Sequence, residues 1–174
     1  MVKLLKLVGV LLLLGVAVFL VRNRGVSLDL NQFSASMGEN EVQQALPDLG
    51  LKCTGTEPGF SLGSRVCHAN LDAFNGIETK QIAFFFKRKR LANFKIDVPW
   101  QSHRAMIDKL NGSYGLPTSE QARLHGGVRL AVWKIEGGYL HYDLEANQSA
   151  SPWNTLLWVS HEEAGPMSGK FSGK

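Results

Sequence analysis

The hydrophobic pattern of the chain begins with a long apolar segment. Residues 7–21 contain no polar side chain, and two leucines extend the segment toward the N-terminus. As a helix, residues 4–21 would span about 27 Å, close to the ~30 Å hydrocarbon core of a bilayer. A cleavable signal peptide is the alternative, but residues 18–21 are still apolar where its polar region should begin. The pattern therefore predicts a transmembrane anchor over residues 1–25.

Two amphipathic helices are predicted after the anchor. Ser36 and Glu39 have the spacing of a capping box, in which a hydroxyl and a carboxylate satisfy the first backbone N–H groups. The helix that follows has its apolar residues on one face: Val42, Ala45, Leu46 and Leu49. Pro47 is predicted to end its regular part. A second helix is predicted to begin at Ser102 and to end at Gly112 or Gly115. Its buried stripe consists of His103, Met106, Ile107 and Leu110.

The rest of the chain is predicted to form strands joined by short links. The apolar runs typical of strands cover residues 59–71, 79–86, 93–98, 128–135, 139–145 and 155–160. Glu136-Gly137-Gly138, between two of these runs, is typical of a tight hairpin. Short links exclude parallel crossovers. We therefore predict an α+β fold with two helices packed on an antiparallel sheet, preceded by an N-terminal transmembrane helix.

Polar segments delimit the predicted domain. Residues 26–35 are predicted to be a linker, residues 36–163 one α+β domain, and residues 164–174 a flexible tail rich in Gly, Ser and Lys. The two halves of the domain each contain a helix, a turn with Gly and Pro, and strands. This similarity fits either an internal duplication or the ordinary make-up of an α+β domain.

The net positive charge of the chain comes from the flanks of the apolar segment. The sequence has 19 Lys and Arg against 15 Asp and Glu. Lys3, Lys6, Arg22 and Arg24 flank the segment, and every acidic residue lies after residue 25, so the remainder is formally neutral. This distribution argues against a nucleic-acid-binding domain. With the α-amino group added to Lys3 and Lys6, the side before the segment has a slight excess of positive charge, which favours an N-terminus inside the cell.

The two cysteines, Cys53 and Cys67, indicate a disulfide. In an oxidising compartment the bond would close a loop of about 15 residues and contribute about 3 kcal/mol. The alternatives are two free thiols in a reducing cytosol and a metal site with His68, for which further ligands at close spacing are lacking. Together with the anchor, the disulfide predicts a single-pass protein of the inner membrane, with its N-terminus inside and its domain in the periplasm.

The first predicted helix resembles a motif of small bacterial envelope domains of the BamE/SmpA type. The similarity rests on the run GENEVQQAL at residues 38–46, and on Tyr114-Gly115-Leu116-Pro117, which is similar to the turn that closes the helix there. The resemblance implies a helical pair before a short antiparallel sheet, and a role in assembly or binding. The chain departs from those domains in lacking their lipid-bearing cysteine.

The sequence contains no evident catalytic constellation. His141 and Asp143 alternate onto one face of a predicted strand and could form the general-base pair of a small hydrolase, although a solvated strand face has the same pattern. His161 is followed by two glutamates but lacks the second histidine of a zincin helix. We therefore predict a protein without a catalytic residue, a cofactor or a metal site, while leaving the hydrolase open as an alternative.

Two surface features could contact a partner. Lys87, Arg88, Lys89 and Arg90 follow three phenylalanines at a predicted hairpin tip, where they could bind phosphate, lipid headgroups or anionic polysaccharide. The alternative is a solvated turn whose charges protect the strands from aggregation. Trp153 lies in a predicted loop and could be an exposed contact.

Taken together, these features predict a membrane-anchored extracytoplasmic module that binds or assembles an envelope component without catalysis. Its expected partners are the membrane, through residues 1–25, and an envelope protein rather than nucleic acid. The oligomeric state is left open. The alternatives are a small periplasmic hydrolase with a His–carboxylate pair, and a basic module that binds anionic polymer or lipid headgroups.

Overall fold

A computed structural model of the chain describes residues 25–55, 65–123, 129–144 and 152–168. Within these ranges the α-helices are α1 (Glu39–Ala45), α2 (His103–Tyr114) and α3 (His161–Ser168). Short 3-10 helices occupy Leu30–Gln32, Pro47–Leu49 and Trp100–Ser102. The strands of the described ranges are β1 (Gly25–Val26), β2 (Lys52–Gly55), β3 (Arg65–Asn70), β4 (Ala73–Phe74), β5 (Ile77–Glu78), β6 (Gln81–Lys87), β7 (Arg90–Pro99), β8 (Ser119–Arg123), β9 (Arg129–Ile135), β10 (Gly138–Asp143) and β11 (Trp153–Ser160).

Most of these strands form one large antiparallel sheet. Its 8 strands have the order β2-β3-β6-β7-β11-β10-β9-β8, so β7 and β11 pair at its centre. A small second sheet contains β1, β4 and β5, with β1 parallel to β4. Because side chains alternate along a strand, the large sheet has a core face, covered by α1 and α2, and an opposite outer face.

The core face carries large aromatic side chains from the central strands. Phe84, Phe94 and Trp158 lie directly opposite one another in the register and are fully buried. Phe33, from the segment before α1, packs on Phe84 and Phe94 with ring centroids 5.6 and 5.0 Å apart. Phe94 stacks on Trp158 at 5.2 Å. Burial of one such ring contributes about 1.5–3 kcal/mol, so this cluster is a main source of stability.

The predicted α+β fold class is wrong, because the described part of the chain is mostly sheet. α1 has 7 residues and α2 has 12. Leu46 and Leu49 are buried as predicted, and the helix ends before Pro47 as predicted: α1 ends at Ala45, and Pro47 begins a 3-10 helix. The helical period thus marked a buried segment of which only the first part is α-helical. The remaining cover of the core face comes from irregular chain.

Residues 26–35, predicted as a linker, are packed into the domain. Leu28, Leu30 and Phe33 are buried. The side chain of Asn75 bonds to both backbone polar groups of Leu28: its amide oxygen accepts from the N–H of Leu28 at 2.7 Å, and its amide nitrogen donates to the carbonyl of Leu28 at 2.9 Å. The large residues stand between polar ones without a helical or strand period, which is why the sequence did not indicate burial.

The order of elements repeats along the chain. α1 leads into β2, β3, β6 and β7, and α2 leads into β8, β9, β10 and β11, so that each helix precedes a four-stranded antiparallel meander. The short strands β4 and β5 are an insertion in the first meander. The last strands of the two meanders pair with each other at the centre of the sheet. This topology supports an internal duplication.

None of the helices in the described ranges has the length and apolar character needed to cross a membrane. This finding contradicts the predicted transmembrane, single-pass protein of the inner membrane with a periplasmic domain. Residues 1–24, on which that prediction rested, lie outside the described ranges, as do residues 169–174 of the predicted tail.

Candidate functional site

The four predicted cations form the turn between β6 and β7. Lys87 and Arg90 pair across the end of the hairpin. Arg88 and Lys89 occupy the tip with φ angles of 52° and 67°. Two positive φ values are typical of a type I′ turn, whose twist matches that of the flanking strands. All four side chains are exposed, so the hairpin presents them to solvent on a defined backbone.

The turn is tied to two neighbouring elements. Lys87 Nζ forms an ion pair with Glu163 Oε2 of α3 at 3.0 Å. Behind the turn, the N–H of Leu91 donates to the carbonyl of Met37 at 2.8 Å, which fixes the start of β7 against the segment before α1. These contacts limit the freedom of the hairpin tip and neutralise one of its four cations.

The other three cations of the turn carry unbalanced charge. Arg88, Lys89 and Arg90 form no ion pair and no side-chain hydrogen bond with any residue of the described ranges. Arginine guanidinium groups are the preferred partners of carboxylates because they can donate two parallel hydrogen bonds. The tip is therefore the strongest candidate in the described ranges for binding an anionic group.

Acidic side chains border the turn on both sides. On one side lies an open hollow of about 320 Å³, whose lining includes Glu162 and Glu163. On the other side, a hollow of about 660 Å³ is lined in part by Glu39 and Glu41. Arg65 forms a bidentate ion pair with Glu39, and its hydrogen bonds hold the pKa of Glu39 below the usual value. The surface thus has a narrow basic centre between two acidic borders.

Trp153 lies at the opposite end of the central strands. It is the first residue of β11 rather than part of a loop, and it pairs with Pro99 at the end of β7. The residue is 37% exposed, and Lys80 Nζ lies 5.7 Å from its ring centroid. Trp100 is 45% exposed, and its backbone N–H donates to the carbonyl of Pro152 at 3.4 Å. This end of the sheet is a second candidate contact surface.

A buried carboxylate lies beside Trp153 on the outer face. Asp97 is 7% exposed and stands directly opposite Thr155 in the register. It accepts hydrogen bonds from Lys95 Nζ at 3.0 and 3.1 Å, from Gln81 Nε2 at 2.5 Å and from Thr155 Oγ1 at 3.4 Å. Because the charge is paired and fully bonded, its burial is compatible with stability.

The predicted disulfide between Cys53 and Cys67 is confirmed. The two residues lie directly opposite each other on β2 and β3. Glu39 lies near both sulfur atoms, so the three side chains have the spacing of a metal-ligand group. Sulfur atoms joined in a disulfide are not thiolates, however, and cannot bind a metal ion in that state. His68, which the sequence offered only for the alternative of a metal site, is exposed and is not part of this group.

Within the described ranges, the histidines do not assemble into a catalytic group. His103 packs on the ring of Tyr142 with centroids 5.3 Å apart, and His161 packs on a second tyrosine of β10. His141 lies on the outer face between residues of β9 and β11, and burial lowers its pKa below the usual value. Asp143, its predicted partner, does not contribute to that shift. His125 lies outside the described ranges.

The lowered pKa of His141 predicts a loss of stability in mild acid. Below about pH 6.5 the unfolded imidazole binds a proton that the folded protein excludes, so stability is full above that pH and falls as the pH drops through the lowered pKa. We expect His141→Asn to reduce the decrease in unfolding free energy between about pH 7 and 5, measured by urea unfolding. His68→Asn, at an exposed position, is the control. Identical pH profiles for the two variants would contradict the assignment.

Several residues of these surfaces were missed by sequence reasoning. The bonds of Asp97 join residues from three strands, and the pairing of Arg65 with Glu39 joins positions 26 residues apart. The one available signal was the alternation of Lys95 and Asp97 with apolar neighbours, which places both side chains on one face of β7. That alternation does not reveal which side chains lie on the adjacent strands.

Comparisons with protein-family models, curated proteins and solved structures find no match to this chain. The resemblance to BamE/SmpA-type domains stays a prediction that rests on the two short sequence motifs.

Proposed function

We propose that this chain is a non-catalytic protein-binding module, and that the turn between β6 and β7 docks on an acidic patch of its partner. The observation that carries this proposal is the set of three exposed cations, Arg88, Lys89 and Arg90, which lack an ion-pair partner in the described ranges. They project from one of the central hairpins of the sheet, so their positions are defined before a partner binds.

The backbone of the turn supports a functional role for its side chains. Arg88 and Lys89 both have positive φ, a conformation that costs a non-glycine residue about 1–2 kcal/mol. Asn-Gly is the sequence best suited to such a turn. Arg88 and Lys89 therefore stabilise the turn less than Asn and Gly would at the same two positions. Strain of this kind is common where side chains serve binding.

The acidic borders of the turn favour a protein partner over an extended polyanion. A nucleic acid or sulfated polysaccharide laid across the tip would meet Glu162 on one side and Glu41 on the other. Like charges in an interface are unfavourable and discriminate against such ligands. A protein surface with a compact acidic centre and basic surroundings would match both the tip and its borders. The formally neutral composition beyond residue 25 agrees with this preference.

Replacement of the tip by Asn-Gly is expected to separate binding from stability. The double variant Arg88→Asn with Lys89→Gly removes two unpaired cations and relieves two strained positions. We expect its unfolding free energy to rise by about 2 kcal/mol in urea titrations. Affinity for the partner should fall by about tenfold or more. A merely structural turn would gain stability without losing binding.

The partner itself can be captured by site-specific photocrosslinking in the native cells. A photoreactive residue at Glu162, next to the tip, should give one discrete protein adduct that disappears when the tip is Asn-Gly. The same probe at the exposed Lys134 is the positional control and should not give this adduct. The double variant Lys52→Gln with Lys134→Gln is the charge control: it removes two exposed charges away from the tip and should leave the adduct at position 162 unchanged. An adduct that persists with the Asn-Gly tip would contradict the proposal. If duplex DNA or heparin binds the chain and the Asn-Gly tip abolishes that binding, the ligand of the turn is a polyanion and not a protein.

A further inference from the structure

The outer face beside Trp153 brings together side chains from three strands. Thr155 on β11 is directly opposite Asp97 on β7, which is opposite Gln81 on β6. Lys95 and Trp153 lie two residues from Asp97 and Thr155 along their own strands, and therefore on the same face. We call these five residues the Trp153 patch. Trp153, which pairs with Pro99, lies about 30 Å from the basic turn along β7, and the patch does not depend on the role proposed for that turn.

The indole of Trp153 is exposed and also held in place. Lys80 Nζ lies 5.7 Å from the ring centroid, within the range of a cation–π interaction. The residue nevertheless remains 37% exposed. Because the ring already has a neighbour that fixes it, little side-chain entropy is lost when a ligand packs on the open part. Trp153 therefore offers a flat apolar surface to a ligand.

The polar groups of the patch are organised by one buried carboxylate. Asp97 accepts hydrogen bonds from Lys95, Gln81 and Thr155. Each of these donors retains further capacity: the amide oxygen and second N–H of Gln81, a further N–H of Lys95, and the hydroxyl oxygen of Thr155. Within the part of the chain that the structure describes, donors and acceptors thus remain available next to the indole.

The charges of the described residues in this region balance. Lys80 and Lys95 bring two positive charges, and Asp97 and Asp143 of β10 bring two negative ones. A phosphate or sulfate would find no surplus of positive charge, and the surface around the indole is too polar for a purely apolar ligand. A pyranose ring has one face of C–H groups and a rim of hydroxyls, which match the indole and its polar surroundings. We propose that the Trp153 patch binds a neutral pyranose ring of an oligosaccharide.

The proposal can be tested by titrating the full chain with maltotriose, cellotriose and triacetylchitotriose. We expect one of these neutral sugars to bind with a millimolar Kd in calorimetry and to shift the indole NMR signal of Trp153, but not those of the buried Trp133 and Trp158. Trp153→Ala should weaken binding about tenfold or more. Thr155→Val keeps the shape of the side chain, removes its hydroxyl, and should weaken binding several-fold.

Leu116→Ala is the matched control, because Leu116 is a large apolar residue, 82% exposed, outside the patch. It should leave the affinity unchanged, as should the Asn-Gly tip described above. Failure of all three sugars to bind at millimolar concentrations would overturn the proposal. Binding that is unaffected by Trp153→Ala, or Trp153-dependent binding of an anionic polysaccharide alone, would also overturn it.

Discussion

Gly137→Ala is expected to lower the free energy of unfolding by about 3 kcal/mol. A β-carbon at this position would lie 1.9 Å from the carbonyl oxygen of Phe33 and 3.5 Å from the ring of Trp158. The first contact is with backbone, which cannot turn away as a flexible side chain would. Relief requires a shift of the segment that carries Phe33, and Phe33 packs on Phe84 and Phe94 in the core. The strain therefore spreads into the main aromatic cluster.

Gly112→Ala is the control for this effect, because it makes the same chemical change in open space. Apart from the adjacent residues and the backbone of the helix itself, no atom lies within 4 Å of a β-carbon at Gly112, which stands inside α2. Alanine should stabilise that helix by about 0.5–1 kcal/mol. Urea unfolding of both variants measures the difference. Equal unfolding midpoints for Gly137→Ala and the unaltered protein would show that the turn and the Phe33 segment do not meet as described.

The hairpin at Gly137 shows what the sequence could and could not predict about the fold. The dipeptide Gly137-Gly138 predicted a tight turn, and the turn joins β9 and β10. The sequence carried no sign that the backbone of Phe33 lies against it, because that contact joins positions about a hundred residues apart. Local pattern predicts strands and turns well, since alternation and turn residues are local properties. Contacts between distant segments are set by the whole sheet.

The same distinction explains the error in fold class. The apolar positions Val42, Ala45, Leu46 and Leu49 fit one helical face, and all of them contact the core. They do so partly in a helix and partly in a 3-10 turn after Pro47. A short buried segment of either type produces the same spacing. Both predicted helices are present, but the sheet of 8 strands occupies far more of the described chain than they do, so the described part is mostly sheet.

The candidate site was predictable only where its residues are adjacent in sequence. Lys87 to Arg90 are consecutive, and the structure places them on one turn as expected. Their surroundings come from α1 and α3: Glu163 pairs with Lys87 and so leaves three cations of the turn to bind a partner, whereas Glu39 pairs with Arg65 and is part of an acidic border. The Trp153 patch likewise depends on the register of three strands. Sequence therefore identified the basic centre but not the acidic borders that decide its ligand.

Reduction of the disulfide is expected to lower the free energy of unfolding by about 3 kcal/mol. Cys53 and Cys67 are separated by 14 positions, so the bond removes the closure entropy of a moderately long loop from the unfolded chain. In the folded protein the bond joins the edge strand β2 to β3. We therefore expect amide exchange to accelerate first in β2, while β6 and β7 at the interior of the sheet stay protected.

Urea unfolding with and without reductant measures this contribution, with mass spectrometry to count the free thiols. The control is the double variant Cys53→Ala with Cys67→Ala, which should unfold at one midpoint whether or not reductant is present. A shift of the same size in that variant would mean that the reductant acts elsewhere. The opposite outcome is an unchanged urea midpoint in reduced protein that mass spectrometry shows to carry two free thiols. It would mean that strand pairing and the core hold β2 without the bond, and it would contradict the loop-entropy argument.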